Sequence, residues 1–274
     1  MFKIIIMALL IFIGMVGYDS ITDKAQPTTP VQQEQQKVSK HEKSAAMALF
    51  TSLLPPKEEW PSPVHKFYLA FNMDEVIDPI RQNPNWTSLD AMSRDIPQAL
   101  IAIEDHAFYN HGAIAVEGIL RAALANINAG EVVQGGSTLT QQFVKNVFLS
   151  HEQSMERKIE EAVLSLMLED NYSKDEILEL YLNTTYFGAG STGIKQASRT
   201  YFGKAPSALT LAEAAVIASL PYAPTSLNPL ETPEGCKKRQ LLVLAAMHKY
   251  GMINQGQLAE AKAEKIRLTN GTVM

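Results

Sequence analysis

Cysteine is almost absent: Cys236 is the only one in 274 residues, so no intrachain disulfide can form and no cysteine-built zinc site is available. That scarcity fits either side of a membrane. Basic charge is short as well, with 24 Lys and Arg against 29 Asp and Glu and a net charge of −5. No basic block or RNA-reading motif overrides it, which sets nucleic acid aside as a partner. Large apolar side chains are almost absent from one long stretch, roughly Asp19 to Lys43, which runs through Pro27, Thr28, Thr29 and Pro30 and then Gln32, Gln33, Gln35 and Gln36. Such a stretch cannot offset the entropy of ordering, so residues 19–45 are expected to be a disordered tether.

Charge is also missing from Ile4 to Tyr18, with Lys3 before the run and Asp19 after it, and residues 1–18 read as a membrane-targeting segment. As a helix its roughly 15 residues rise about 22 Å, less than the ~30 Å hydrocarbon core of a bilayer. The shortness suits a cleaved signal, but no small-x-small cleavage site follows and no cysteine offers a lipid attachment point. An uncleaved anchor with Lys3 on the cytoplasmic side is the expectation. A body on such a tether would work near the outer face of the membrane, where a lipid-linked substrate is met.

What is present from residue 46 onward is a globular composition, and 46% hydrophobic content overall is enough for a real core. One domain over 46–270 is expected. Trp60, Phe67, Tyr68, Phe71 and Trp86 are available for packing, and Pro55-Pro56 and Asn83-Pro84 divide the first part into short elements. Met47, Leu49, Phe50, Leu53 and Leu54 read as a helix packing on that core in preference to one touching lipid.

Chemistry concentrates between Glu104 and Glu161. Pro97 followed by Gln98-Ala99-Leu100-Ile101-Ala102-Ile103 reads as a helix that begins at a proline and runs apolar into Glu104. An acid ending such a run is partly desolvated, and desolvation lifts a carboxyl toward the range of a base near neutral pH. A solvated helix-end acid is the alternative. His106 and His111 are five apart, off one helical face, which favours hydrogen bonding or packing over metal ligation. Val116, Ile119, Leu120, Ala123, Leu124 and Ile127 recur at three and four as the stripe of an amphipathic helix, assigned to the core, with the bilayer as the other reading.

Gln134-Gly135-Gly136 breaks the chain, and Thr138 with Gln141 three residues on has the form of a capping box opening a helix. Such a start favours an anion, and Ser137, Gln141 and Lys145 at spacings of four are expected on one face. An ordinary capped helix is the plain alternative. Arg157 and Lys158 lie four and three residues before Glu161, so both cations are expected beside one acid. From Ser137 to Glu161 three basic residues meet four acidic ones, so any anion site here is made by geometry and not by bulk charge.

With these motifs in order, the chain resembles the peptidoglycan glycosyltransferases of glycosyltransferase family 51, found in class A penicillin-binding proteins and monofunctional transglycosylases. The resemblance covers roughly Trp86 to Leu268, with core motifs over 86–230: Glu104-Asp105-x-x-Phe108-x-x-His111, Gly135-Gly136-Ser137-Thr138-x-Thr140-Gln141-Gln142, Arg157-Lys158-x-x-Glu161 and Ile177-Leu178-x-x-Tyr181-Leu182-Asn183. It implies a mostly α, lysozyme-like, two-lobed glycosyltransferase domain behind the N-terminal membrane segment. The smaller lobe would face the membrane and a groove would run between the lobes. The implied substrates are lipid II and the growing glycan strand, and the implied place is the outer or periplasmic face of the cytoplasmic membrane.

Carried over by position, Glu104 resembles the general base and Glu161 the second acid. Ser137, Gln141, Lys145, Arg157 and Lys158 resemble the donor-binding and phosphate-binding set, with Asp105, Phe108, His111, Thr138, Gln142 and Asn183 completing the substrate-binding motifs. No metal-ligand spacing is present, and whether a divalent cation (Mg2+ or Mn2+) bridges Glu161 and the diphosphate is open, as are other wall-synthesis proteins as partners. Departures occur where the family has His-x-Gly-x-Asp and this chain His111-Gly112-Ala113-Ile114-Ala115, at Gln153 in place of an arginine, and at Thr192, where an aromatic residue usually precedes the glycine. No Ser-x-x-Lys or Lys-Thr-Gly of a transpeptidase occurs, so a monofunctional enzyme or a truncation is expected. A lipid II-binding module without turnover and a lysozyme-like muramidase are the competing readings.

Overall fold

The computed structural model describes residues 68–120, 127, 135–149 and 154–274. The expected anchor, the tether, the Met47 to Leu54 helix, Ala123, Leu124 and Gln153 lie outside the described residues. The chain divides into two compact units, 1–73 and 74–274. Of the first, residues 68–71 are helical. The second carries the named helices: α1 (Asp74–Arg81), α2 (Asp95–Glu104), α3 (Leu139–Phe148), α4 (Met155–Asn171), α5 (Lys174–Thr184), α6 (Ile194–Phe202), α7 (Leu211–Ser219), α8 (Pro233–Lys249) and α9 (Gln255–Ala263). Among the described residues pairing of the β type is confined to two isolated bridges, Tyr186 with Thr192 and Arg267 with Val273, so the fold is mostly helical as expected.

Local chemistry starts these helices where they start. Thr138, Ser173, Thr210 and Asn254 each accept from the backbone N–H three residues on, while Gln141, Glu176, Glu213 and Gln257 reach back, giving four reciprocal capping boxes. The α2 helix begins at Asp95, two residues ahead of Pro97, because a first-turn proline lacks only an N–H that would have no intrahelical acceptor. Gly193 opens α6 at φ +84°, and a Cβ there would stand 2.6 Å from the Asn183 carbonyl oxygen, so only glycine lets the chain turn back this closely.

The core forms around α7. Its sequence, Leu-Ala-Glu-Ala-Ala-Val-Ile-Ala-Ser, is buried from Ala212 to Ser219, and small side chains let α2 and α8 approach it. Glu213 tolerates that burial because its carboxylate takes Lys204 Nζ at 2.7 Å and caps Thr210 N–H at 3.0 Å. A second group packs α3 against α4 and α5, and α6 touches both α5 and α7.

One expectation is overturned. The described residues of the Val116 to Ile127 stripe are not core: Val116 is 64% exposed, Leu120 60% and Ile127 75%, with Ile119 exposed too. Helical periodicity was right for 116–120, but the apolar face is left bare.

Candidate active site

Glu104 is the last residue of α2, where the α2, α7 and α8 group meets the α3, α4 and α5 group. Its Oε2 accepts from Gln142 Nε2 of α3 at 3.0 Å, and Gln142 Oε1 accepts from the Tyr181 hydroxyl of α5 at 2.9 Å. Burial pushes the Glu104 carboxyl above its ordinary value; the Gln142 hydrogen bond and the charges of Arg239 and Lys145 oppose the rise, and Asp105 adds to it. This is the partly desolvated acid expected from the apolar run that precedes it.

The residues after Glu104 are stitched to the start of α3. Asp105 Oδ1 meets His111 Nε2 at 2.6 Å, and Asp105 Oδ2 accepts from Leu139 N–H at 3.1 Å, one of the free donors of the helix start. His111 Nδ1 lies 2.6 Å from Gly112 O, so both ring nitrogens face acceptors. That favours the doubly protonated ring, and the Asp105 hydrogen bond raises the His111 pKa. Thr138 Oγ1 donates to Ala113 O at 2.7 Å while accepting from Gln141 N–H, and Gln141 Oε1 accepts from Thr138 N–H. The departure at Ala113 thus sits in a buried position beneath the capping box. His106 stacks on Tyr250, with ring centroids 4.2 Å apart, a packing role.

The third motif closes on the glycine-led loop. Lys158 Nζ donates to Ser137 Oγ at 3.1 Å and pairs with Glu161, which is 2% exposed. Two expectations need correction here. Only Lys158 of the two cations pairs with Glu161; Arg157 Nε is buried with no hydrogen-bond partner among the described residues. Nor do Ser137, Gln141 and Lys145 share a helix face. The helix starts at Leu139, so Ser137 precedes its cap, Gln141 is buried closing the capping box, and Lys145 alone is exposed.

Two further motif residues are committed to the scaffold. Phe108 is fully buried with Lys174 Nζ 4.5 Å from its ring centroid. Asn183 clips the segment before α2: its Oδ1 accepts from Thr87 N–H and its Nδ2 donates to Thr87 O, each at 2.9 Å, and Nδ2 also reaches Glu179 O.

Two residues near Glu104 carried no assigned role in the sequence. Tyr181 was legible only as one letter of a motif. Arg239 of α8 lies outside the motifs; its guanidinium sits 4.2 Å over the Tyr222 ring, its Nε is buried without a partner among the described residues, and its charge reaches Glu104. A basic residue on the helix packed against α2 was the available signal.

Among the described residues no group of three or more His, Cys, Asp and Glu gathers to hold a metal ion. A divalent cation at Glu161 would meet the Lys158 ammonium already paired there, so these residues do not form a cation site as arranged.

A sequence-family model described as Transglycosylase matches residues 73–248. Penicillin-binding protein 1A of Aquifex aeolicus (strain VF5) is 44% identical over 176 residues, 64% of this chain and 24% of that protein. A putative transglycosylase of Cupriavidus necator is 40% identical over 194 residues, 71% of this chain and 84% of that one. The crystal structure of penicillin-binding protein 1A from Haemophilus influenzae matches at 33% identity with a TM-score of 0.34, covering 48% of this chain and 16% of that one. The match thus spans about a quarter of the Aquifex protein's length and most of the Cupriavidus protein's.

Proposed function

This chain belongs to the transglycosylase family, and from that premise we propose that it is a peptidoglycan glycosyltransferase that polymerises lipid II with Glu104 as general base. The observation that carries this reading is the Glu104 carboxylate, raised by burial and held by Gln142 at the junction of the two helix groups. A hydroxyl nucleophile needs such a base, typically worth about 10²–10⁴-fold in rate. Glu104 takes the proton of the acceptor sugar's 4-hydroxyl as its oxygen attacks the anomeric carbon of the donor chain; the bond to the lipid diphosphate breaks and the configuration inverts.

The leaving diphosphate needs charge stabilisation more than a proton. Lys145, Arg157 and Lys158 supply cations, and Ser137 stands beside Lys158 at the glycine-led turn. Glu161 holds Lys158 in place. We read the fold as the two-lobed, lysozyme-like domain of the family, with the exposed apolar side chains of Val116, Ile119, Leu120 and Ile127 turned to the outer surface of the cytoplasmic membrane. No helix among the described residues is long and apolar enough to cross a membrane.

The test is glycan polymerisation from labelled lipid II in detergent, comparing the intact protein with Glu104→Gln. Polymer from the first and none from the second supports the reading. Lipid II bound by both with polymer from neither would leave a binding module and sink it. Ala substitution at Lys145 and Arg157 separates a transferase, which loses activity, from a muramidase, which keeps it.

A further inference from the structure

We propose that Tyr181 is a positioning residue for Glu104: by donating to the Gln142 carboxamide oxygen, its hydroxyl strengthens the Nε2–H bond that Gln142 makes to the base. The proposal rests on the reading of Glu104 as that base. Tyr181 is 1% exposed and sits on α5, outside the three motifs between Glu104 and Glu161. Its hydroxyl donates to Gln142 Oε1 at 2.9 Å, and Gln142 Nε2 donates to Glu104 Oε2 at 3.0 Å. One carboxamide therefore bridges α5 and α2.

The direction of this relay depends on the protonation state of its end. An ionised carboxylate accepts only, so the carboxamide must offer it N–H, and Oε1 then needs a donor from the other side. Tyr181 is that donor. Without the hydroxyl, Oε1 loses its donor in a low-dielectric setting, the carboxamide is less polarised, and its Nε2–H holds the ionised Glu104 less strongly. Tyr181 thus favours the ionised, proton-accepting form. The other charged or titratable groups facing Glu104 are Lys145 from α3, Arg239 from α8 and its neighbour Asp105. None of them needs the tyrosine hydroxyl to act.

Titrating Glu104 itself tests this without requiring turnover. In protein carrying 13C-carboxyl glutamate, its signal is the one lost in Glu104→Gln. Tyr181→Phe is expected to move its midpoint up by about one pH unit, a tenfold change in ionised fraction well below the midpoint. Gln142→Met moves it at least as far, and Tyr181→Phe in the Gln142→Met background moves it no further. A midpoint unmoved by Tyr181→Phe overturns the relay, and if that variant does not fold, a midpoint unmoved by Gln142→Met overturns it equally. With lipid II, the acid limb of kcat should shift by the same amount while KM holds. No polymer from the unaltered protein would overturn the transferase reading alone, and the titration would still decide the relay.

Discussion

The two halves of the site are built on opposite plans. Around Glu104 the polar groups are committed: Gln142 and Tyr181 form one chain, Asp105 pairs with His111, and Thr138 with Gln141. Around Ser137 and α4 part of the donor capacity is held back, with Lys145 exposed and Arg157 Nε unpartnered among the described residues, while Lys158 is tied to Glu161 and Ser137. On the proposed function, the difference follows from what each half is asked to do. A base needs a fixed, poorly hydrated setting before substrate arrives, whereas a site for a diphosphate must keep hydrogen-bond capacity for it.

The largest effect expected from breaking this contrast is at Glu104. Glu104→Gln should lower polymerisation by about 10²–10⁴-fold yet raise stability at neutral pH. The sign follows from linkage: a raised carboxyl pKa means the folded state holds the proton more tightly, so stability falls as pH rises from the unfolded value through the folded one. Urea melts of the two proteins should therefore diverge above about pH 4.3, the unfolded value, and converge below it.

Asp105→Asn attacks the same half through its scaffold. Losing the His111 pair and weakening the cap on Leu139 N–H should cost about 1–3 kcal/mol in chemical denaturation. It should also flatten one pH dependence. The stability that protonated His111 contributes is full below its unfolded value of about 6.5 and is lost as pH rises through the raised folded value.

Smaller effects belong to the second half. Lys158→Ala strands the buried Glu161 carboxylate and should cost about 1 kcal/mol, the figure kept low because the lysine is 46% exposed. Lys145→Ala should change stability by less than about 0.5 kcal/mol. Both should slow transfer, and equal stability losses in the two would erase the distinction between a committed and a reserved cation. Smallest of all, Leu120→Ser should leave the melting curve within about 0.5 kcal/mol while weakening binding to lipid vesicles.

Legibility in the sequence tracked locality. The Thr138–Gln141 capping box and the desolvated end of α2 were readable because partner and cause lie within one or two helical turns. The Val116 to Ile127 stripe was misassigned because periodicity says which residues share a face and not what lies opposite. Spacing could not choose between Arg157 and Lys158 for Glu161, since three and four residues both reach. Tyr181 and Arg239 stayed silent because their contacts with the site cross 39 residues or more.

The Asn183 clip on Thr87 has a consequence for the order in which the molecule assembles. Arg81 with Glu176, Leu89 with Glu179 and Tyr172 with Asp74 fasten the same two stretches, all 90–98 residues apart in sequence. The whole run from Glu104 to Glu161 is enclosed in the loop they close. Closing a loop of that length costs about 4 kcal/mol of chain entropy before any of these contacts returns it. On a ribosome α2 and α3 emerge before α5, so these contacts can form only once α5 has followed. Glu104 acquires its full setting only when the far side of the loop has been synthesised and docked.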